Sequence, residues 1–353
     1  MGKRIGNLIG AGVFLLLTDG LVALAKWLPE LWFSFYPRVS RAILRYLGIA
    51  FGWCPWAVWE ILLALLVIGV VIWLIWAISK KKFLLWLTGV LEFGAVLVFL
   101  YVGIWGLNYF DRPLDEKLGM EVRNYTQAEL EEAARYYATQ AGLWADRVSR
   151  DAEGNLIPPD FEQLSTLAVE GCSARPEELF HDPAPRVKRL ILPEAFNWLG
   201  IAGVFVDLTG EAGVNEDTFA ASLPFTMCHE LSHSLGIASE DQANFGAFLI
   251  CVNHENPLFV YSGYYDSFIY LYNTLYDRDP TAAQTLWDST SESLMRDCGK
   301  AREQYAQYDG KLQEAAEQVN DAYLKTFDQE EGVQSYDLVT RDLIAYYFSF
   351  VKQ

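Results

Sequence analysis

Two apolar runs, at residues 56–78 (WAVWEILLALLVIGVVIWLIWAI) and 83–107 (FLLWLTGVLEFGAVLVFLYVGIWGL), constrain this chain more than any other feature. Each passes the length test for crossing a bilayer, which takes about 20 apolar residues in a helix. Only Ser79, Lys80, Lys81 and Lys82 separate them, so the chain turns tightly between two spans. Trp and Tyr crowd the ends of both, as they do in interfacial belts.

An earlier segment, 5–25, is interrupted by Asn7 and Asp19. It reads as an uncleaved anchor in preference to a signal peptide, for which Lys3-Arg4 and Ala23-Leu24-Ala25 would serve as n-region and cleavage site. Either reading gives the same topology. The positive-inside rule puts Lys80, Lys81 and Lys82 in the cytoplasm and everything after the last span outside. Lys26, Arg38, Arg41 and Arg45, in a 26–55 loop on the outer side, oppose that assignment. Glu60 lies near a span end and reads as interfacial, whereas Glu92 could pair with another span.

Charge divides the chain at the same place. Residues 1–109 hold nine Lys/Arg against four acids, 9 − 4 = +5, so with −18 in total the rest carries −23. We expect a membrane region of two or three transmembrane helices at 1–109 and a water-exposed domain at 110–353. The acidic balance, with no cluster of Lys/Arg, argues against nucleic acid as a partner. Five cysteines form no CxxC pair, which argues against thiolate metal binding. A Cys172–Cys298 disulfide and free buried thiols both stay open.

The second part reads mainly helical. Thr126-Gln127-Ala128-Glu129 is a capping box opening a helix to about residue 148. Residues 150–200, with Pro158, Pro159, Pro176, Pro183 and Pro185, read as loop-rich. Short β-favouring runs at 203–208 and 214–221 suggest a small sheet. Further helices are expected at 223–235, 240–254, 257–277, 281–327 and 335–351. The expected fold class is mainly α (α+β), with transmembrane helices leading a helical domain that holds a small β-sheet.

The stretch that carries chemistry is Cys228-His229-Glu230-Leu231-Ser232-His233-Ser234-Leu235-Gly236, which implies a zincin-like metallopeptidase site. His229 and His233 are spaced i, i+4, so a helix projects both imidazoles from one face toward one ion. Glu230 adjoins them, where it can take a proton from a water on the metal. Met227, Cys228, Leu231 and Leu235 share the opposite face and anchor the helix, and Gly236 ends it. A catalytic zinc site takes a third protein ligand. Ser239 and Gln242 form a second capping box, opening a helix on which Glu240 and Asn244 are i, i+4 and Ala243 allows close approach. Glu240 is the expected third ligand, Asp241 its rival, and Asn244 the partner that orients a ligating histidine. Glu240 is also what a helix dipole favours in a first turn. His181 and His254 read as surface or capping histidines. Tyr261, Tyr264 and Tyr265 read as core aromatics, from which Tyr264 is taken as the candidate oxyanion stabiliser.

The sequence resembles a family of bacterial membrane proteins known as domain of unknown function 3810. The resemblance rests on Trp105-Gly106-Leu107-Asn108-Tyr109, Thr209-Gly210-Glu211-Ala212 with Val214-Asn215, and Leu223-Pro224-Phe225-Thr226 leading into the His-Glu box. Glu240-Asp241-Gln242-Ala243-Asn244-Phe245, Tyr261-Ser262-Gly263-Tyr264, Ser335-Tyr336 and Asp342-Leu343-Ile344-Ala345-Tyr346 complete it. It implies a zincin-type metallopeptidase tethered by N-terminal helices. Glu240-x-x-Ala243-Asn244 is also similar to the third-ligand helix of gluzincins. Gln242 stands where an acid is expected. Val204-Phe205-Val206-Asp207 stands where a more aromatic, Pro-containing run is expected, which leaves the substrate-edge strand open.

Together these readings imply Zn2+ as cofactor, a peptide or protein substrate and a multi-pass cell-membrane protein. The implied reaction is peptide hydrolysis by a zinc-held water activated by Glu230, with the 214–221 run pairing with an extended substrate. The alternative is a non-catalytic membrane protein with a structural zinc site, closed by His254 or Asp241, and an acidic partner-binding domain. A transporter finds little support in so few intramembrane charges.

Overall fold

The computed structural model describes residues 2–308, 310, 318 and 336–352. Five helices come first: α1 (Gly2–Trp27), α2 (Pro29–Phe33), α3 (Tyr36–Phe51), α4 (Val58–Ser79) and α5 (Phe83–Ile104). Of these α1, α4 and α5 are long and apolar enough to cross a membrane. Only 6–17% of their apolar windows is buried, so nearly all of that surface needs a non-aqueous surrounding.

Helices α1 and α5 run parallel along a seam of small residues. Ala11, Thr18 and Ala25 are the buried positions of α1; Thr88, Ala95 and Val102 are those of α5. Both sets repeat every seven residues, the spacing that keeps one stripe facing a left-handed partner, and small side chains let the backbones approach. Phe14 meets Phe99 at 5.5 Å, and Ala25 packs with Val102 and Leu107 near the other end.

The domain contains a three-stranded sheet of β1 (Val187–Arg189), β2 (Gly203–Val206) and β3 (Glu211–Val214). The order is β1-β3-β2, with β1 parallel and β2 antiparallel to β3. The chain entering α4 covers the outer side of β1: Ala57 N–H donates to Arg189 O at 2.8 Å and Arg189 N–H to Pro55 O at 3.0 Å. That leaves β2 as the open edge among the described residues. Beneath the other edge Glu211 accepts from the Val58 and Trp59 N–H groups, each at 2.9 Å, and so caps the first turn of α4. Lys188 pairs with this carboxylate and donates to Phe51 O at 2.7 Å. The Lys188 and Glu211 side chains are 2% and 0% exposed. The Glu60 carboxylate takes the Ile191 N–H at 2.7 Å, a second tie between span and sheet.

Helices α6 (Leu114–Lys117), α7 (Gln127–Ala145), α8 (Phe161–Ser173), α9 (Pro193–Trp198), α10 (Leu223–Ser234), α11 (Glu240–Val252) and α12 (Pro257–Arg278) form most of the rest. They are followed by α13 (Pro280–Asp288), α14 (Glu292–Tyr305) and α15 (Tyr336–Tyr346). Thr126 and Glu129 form the expected capping box on α7. The main core joins α7, α10, α11 and α12 around Tyr137, Phe245, Phe248, Phe259 and Phe268, all fully buried.

Several expectations are corrected. The 26–55 stretch is mostly helix. The Pro-rich 150–200 region carries α8, β1 and α9, with Asp160 capping α8 through the Glu162 and Gln163 N–H groups. The helix expected at 281–327 breaks where Ser291 starts α14 by accepting from Leu294 N–H; its remainder past residue 308, apart from 310 and 318, lies outside the described residues, as does Ser335. Of the 214–221 run only Val214 is strand, because Asn215 turns the chain by accepting from Asp217 N–H. All five cysteines are free, so no Cys172–Cys298 disulfide forms; Cys172 Sγ donates instead to Phe180 O at 3.4 Å.

Candidate metal centre

Helix α10 has Pro224 in its first turn, where the missing N–H costs no hydrogen bond. Phe225, Met227, Cys228 and Leu231 are buried and hold it in the core. It ends in a glycine turn: Gly236 takes φ +85°, Gly236 N–H bonds His233 O at 2.9 Å and Ile237 N–H bonds Ser232 O at 3.3 Å. The turn also orients a ring. It points the Ile237 carbonyl at His233 Nδ1, 2.7 Å away. The chain then enters α11, whose Ala243 is fully buried against the neighbouring helices. Asn244, one turn after Glu240, places Oδ1 at 2.8 Å from His229 Nδ1.

Acceptors at both Nδ1 atoms fix these as the protonated nitrogens, leaving both Nε2 lone pairs for a ligand. They converge on one carboxylate. Glu240 Oε2 lies 3.2 Å from His229 Nε2, and Oε1 lies 3.6 Å from His233 Nε2. Ligand atoms of the three residues lie within 4.8 Å of one another. Two imidazole nitrogens and a carboxylate are a donor set that fits zinc. Burial works against a charge on His233, yet Glu240 outweighs it and raises the imidazole to about 9, so a cation would have to take the place of the proton on its Nε2. Despite its own desolvation, Glu240 is held far below the usual carboxylate range by the two histidines. A carboxylate kept ionised beside nitrogen donors is electrostatically a cation site.

Glu230 lies next to this trio and is buried, with no hydrogen-bond partner for Oε2. Burial pushes its carboxyl up to about 7. It fits there because of Gly203 on β2: a Cβ at that position would come within 2.4 Å of Glu230 Oε1. Gly203 was not singled out in the sequence. Its signal is a glycine at the start of an edge strand, a place where a backbone is approached closely. Trp105, at the end of α5, is a second unforeseen neighbour. Its ring meets His233 edge-on at 5.8 Å and Phe205 of β2 at 5.2 Å.

All of these residues lie inside 35–344, the stretch matched by the family described as protein of unknown function (DUF3810). The chain belongs to the DUF3810 family. No curated protein and no solved structure matches it. The DUF3810 match runs from the residue before α3 into α15 and takes in two of the three apolar helices, the sheet and the trio.

Within this DUF3810 domain the remaining expected residues separate cleanly. Asp241, the rival ligand, faces away. It accepts from Gln242 Nε2 at 3.1 Å, and the same amide reaches Asp342 at 2.6 Å. The Gln242 carbonyl accepts from Leu114 N–H at 2.5 Å, so the expected Ser239–Gln242 capping box does not form. Tyr264 packs against Tyr136, Tyr137 and Phe248, with its hydroxyl 3.4 Å from that of Tyr136. None of these partners belongs to the trio, so the structure does not bring Tyr264 to it. Tyr261 is tied to Asp297, and Tyr265 packs on Phe219. His254 stacks on Phe259 and meets Leu167 O at 3.0 Å, while His181 meets Arg175 O at 2.9 Å.

Proposed function

We propose that this DUF3810 protein is a membrane-anchored zinc metallopeptidase with its catalytic domain, residues 110–353, outside the cytoplasm. The observation that carries the reading is the convergence of His229, His233 and Glu240 beside the buried, unpaired carboxyl of Glu230. His229, His233 and Glu240 would hold the ion, with Asn244 and the Ile237 carbonyl fixing the rings. A zinc ion there supplies Lewis acidity, drawing the pKa of water toward about 7 and polarising a carbonyl. Glu230, buried beside the trio with Oε2 unpartnered, would take a proton from that water and return it to the leaving amine. The open edge of β2 offers backbone groups to an extended peptide, in place of the 214–221 run.

A structural site would close its fourth position. His254 and Asp241 are both engaged elsewhere, which favours the catalytic reading. The exposed Lys80, Lys81 and Lys82 turn supports the orientation. Of the opposing charges, Arg45 pairs with Asp182 at 2.8 Å and Arg41 reaches Leu179 O at 3.4 Å, so both are engaged by the domain itself.

Purified protein should carry one zinc per chain and cleave members of a peptide library. Glu230→Gln should retain the metal and lose the cleavage. Equal cleavage by the two proteins, or wild type that takes up no zinc, would overturn the proposal.

A further inference from the structure

The 26–55 segment that reads as a loop contains a helix with two unlike faces. Tyr36, Ser40, Leu44 and Gly48 are the buried positions of α3. Ser40 donates to Ile104 O at 2.6 Å, and Leu44 packs with Trp105 and Ala238. The opposite side is apolar and bare: Val39, Ile43, Tyr46 and Ile49 are 36–72% exposed, and Trp53 just beyond the helix is 77% exposed. Arg38, Arg41 and Arg45 follow one flank, and Arg38 has no ion pair among the described residues. An apolar stripe with aromatic residues and flanking Arg is the pattern of a helix lying in a bilayer surface. The neighbours of α3 in the chain say which surface covers it. It starts nine residues after α1 ends and stops seven before α4 begins, so two spans hold it at one face of the membrane.

The trio sits at the same level. Helix α5 has 22 residues, about 33 Å of rise, enough to cross a hydrocarbon core of about 30 Å. Trp105 therefore marks the boundary of that core. The His233 ring is 5.8 Å from the Trp105 ring, and a headgroup layer is about 5–8 Å deep. Phe205, on the open strand beside Glu230, also touches Trp105.

We propose that α3 rests in the bilayer surface and that the centre cleaves membrane-tethered polypeptides, at bonds close to where they leave the same membrane. The assignment rests on the peptidase reading and adds its substrate class. A freely soluble peptide has to enter the headgroup layer to reach β2, whereas an anchored one is held there already.

The test uses the full chain, zinc-loaded, in vesicles of phosphatidylcholine and phosphatidylglycerol. One peptide sequence is offered free in solution and joined to a lipid anchor through 5, about 10 or about 25 residues, with a further residue adding about 3.3 Å of reach. Cleavage should be fastest with the short spacers and fall at least tenfold for the long one and the free peptide. If the long-spacer or free peptide is cut as fast as the short ones, the substrate class is wrong while the peptidase reading stands. If no form is cut, both fall. A readout independent of activity addresses α3: a phospholipid carrying a diazirine on its acyl chain should label the 39–53 stretch and spare the exposed face of α14. Equal labelling of the two would overturn the placement of α3.

Discussion

Two charge clusters flank the sheet, one fully buried and the other partly so, and they are finished to different degrees. At the joint with α4, Glu211 accepts from Lys188 and from two backbone N–H groups, and Lys188 also donates to Phe51 O. In the trio, Glu240 leans on two imidazoles that are held from behind, and Glu230 keeps an oxygen with no partner. Both clusters bury ionisable groups at a cost in solvation. The first recovers it through saturated hydrogen bonding, as a structural tie does. The second leaves acceptors unused, which makes sense where a ligand completes the set. The contrast separates what ties the domain to the apolar helices from the site at which we propose it acts.

The largest expected effect breaks the contrast on the open side. Glu230→Gln keeps the shape and removes the base, so turnover of a cleaved peptide should drop about 10²–10⁴-fold with zinc content unchanged. On the saturated side, Lys188→Met leaves Glu211 buried without its cation. Thermal or denaturant unfolding should show a loss of about 3–5 kcal/mol, with zinc affinity untouched in whatever folds.

A third carboxylate sharpens the comparison because it is half finished. Asp266 accepts from Ser222 at 2.9 Å through one oxygen, while the other is unpaired. Burial raises it to about 8, well above its unfolded value, so folding keeps it protonated. The stability this contributes is complete below about pH 4 and is lost as pH rises toward 8. Asp266→Asn should therefore gain on wild type with pH, by roughly 2 kcal/mol between pH 5 and 7, read from paired melting curves. The smallest effect concerns the support behind a ring. Asn244→Ala should weaken zinc binding about 10–100-fold in competition titrations without changing the metal stoichiometry.

Local pattern made part of this legible in the sequence. The spans show through because lipid demands about 20 apolar residues in a row, and α10 shows through because its histidines repeat at the helical period. Gly236 was readable as a stop, but its effect on the Ile237 carbonyl and His233 was not. Glu240 and Asp241 are equivalent by type and adjacent in sequence. Their roles part only because Gln242 engages Asp241 and Asp342, a contact across a hundred residues. Tyr264 was hard to place for a similar reason: helical spacing puts it on a face, and only packing shows that Tyr136 and Phe248 meet that face. Helix α8 had its signal in Asp160 and Gln163, masked by two prolines before it. Helix α3 was hidden because an interfacial stripe, apolar outward, looks like neither a span nor a core helix.

The glycine turn after α10 has one more consequence. It packs the whole donor set into the stretch from His229 to Glu240, so an ion there closes a loop of only twelve residues. So short a ring removes little disorder from an unfolded chain. Chelation should therefore silence the protein while leaving its helical circular dichroism intact. On that reading such a metal would be an exchangeable tool, clipped into a scaffold that stands without it.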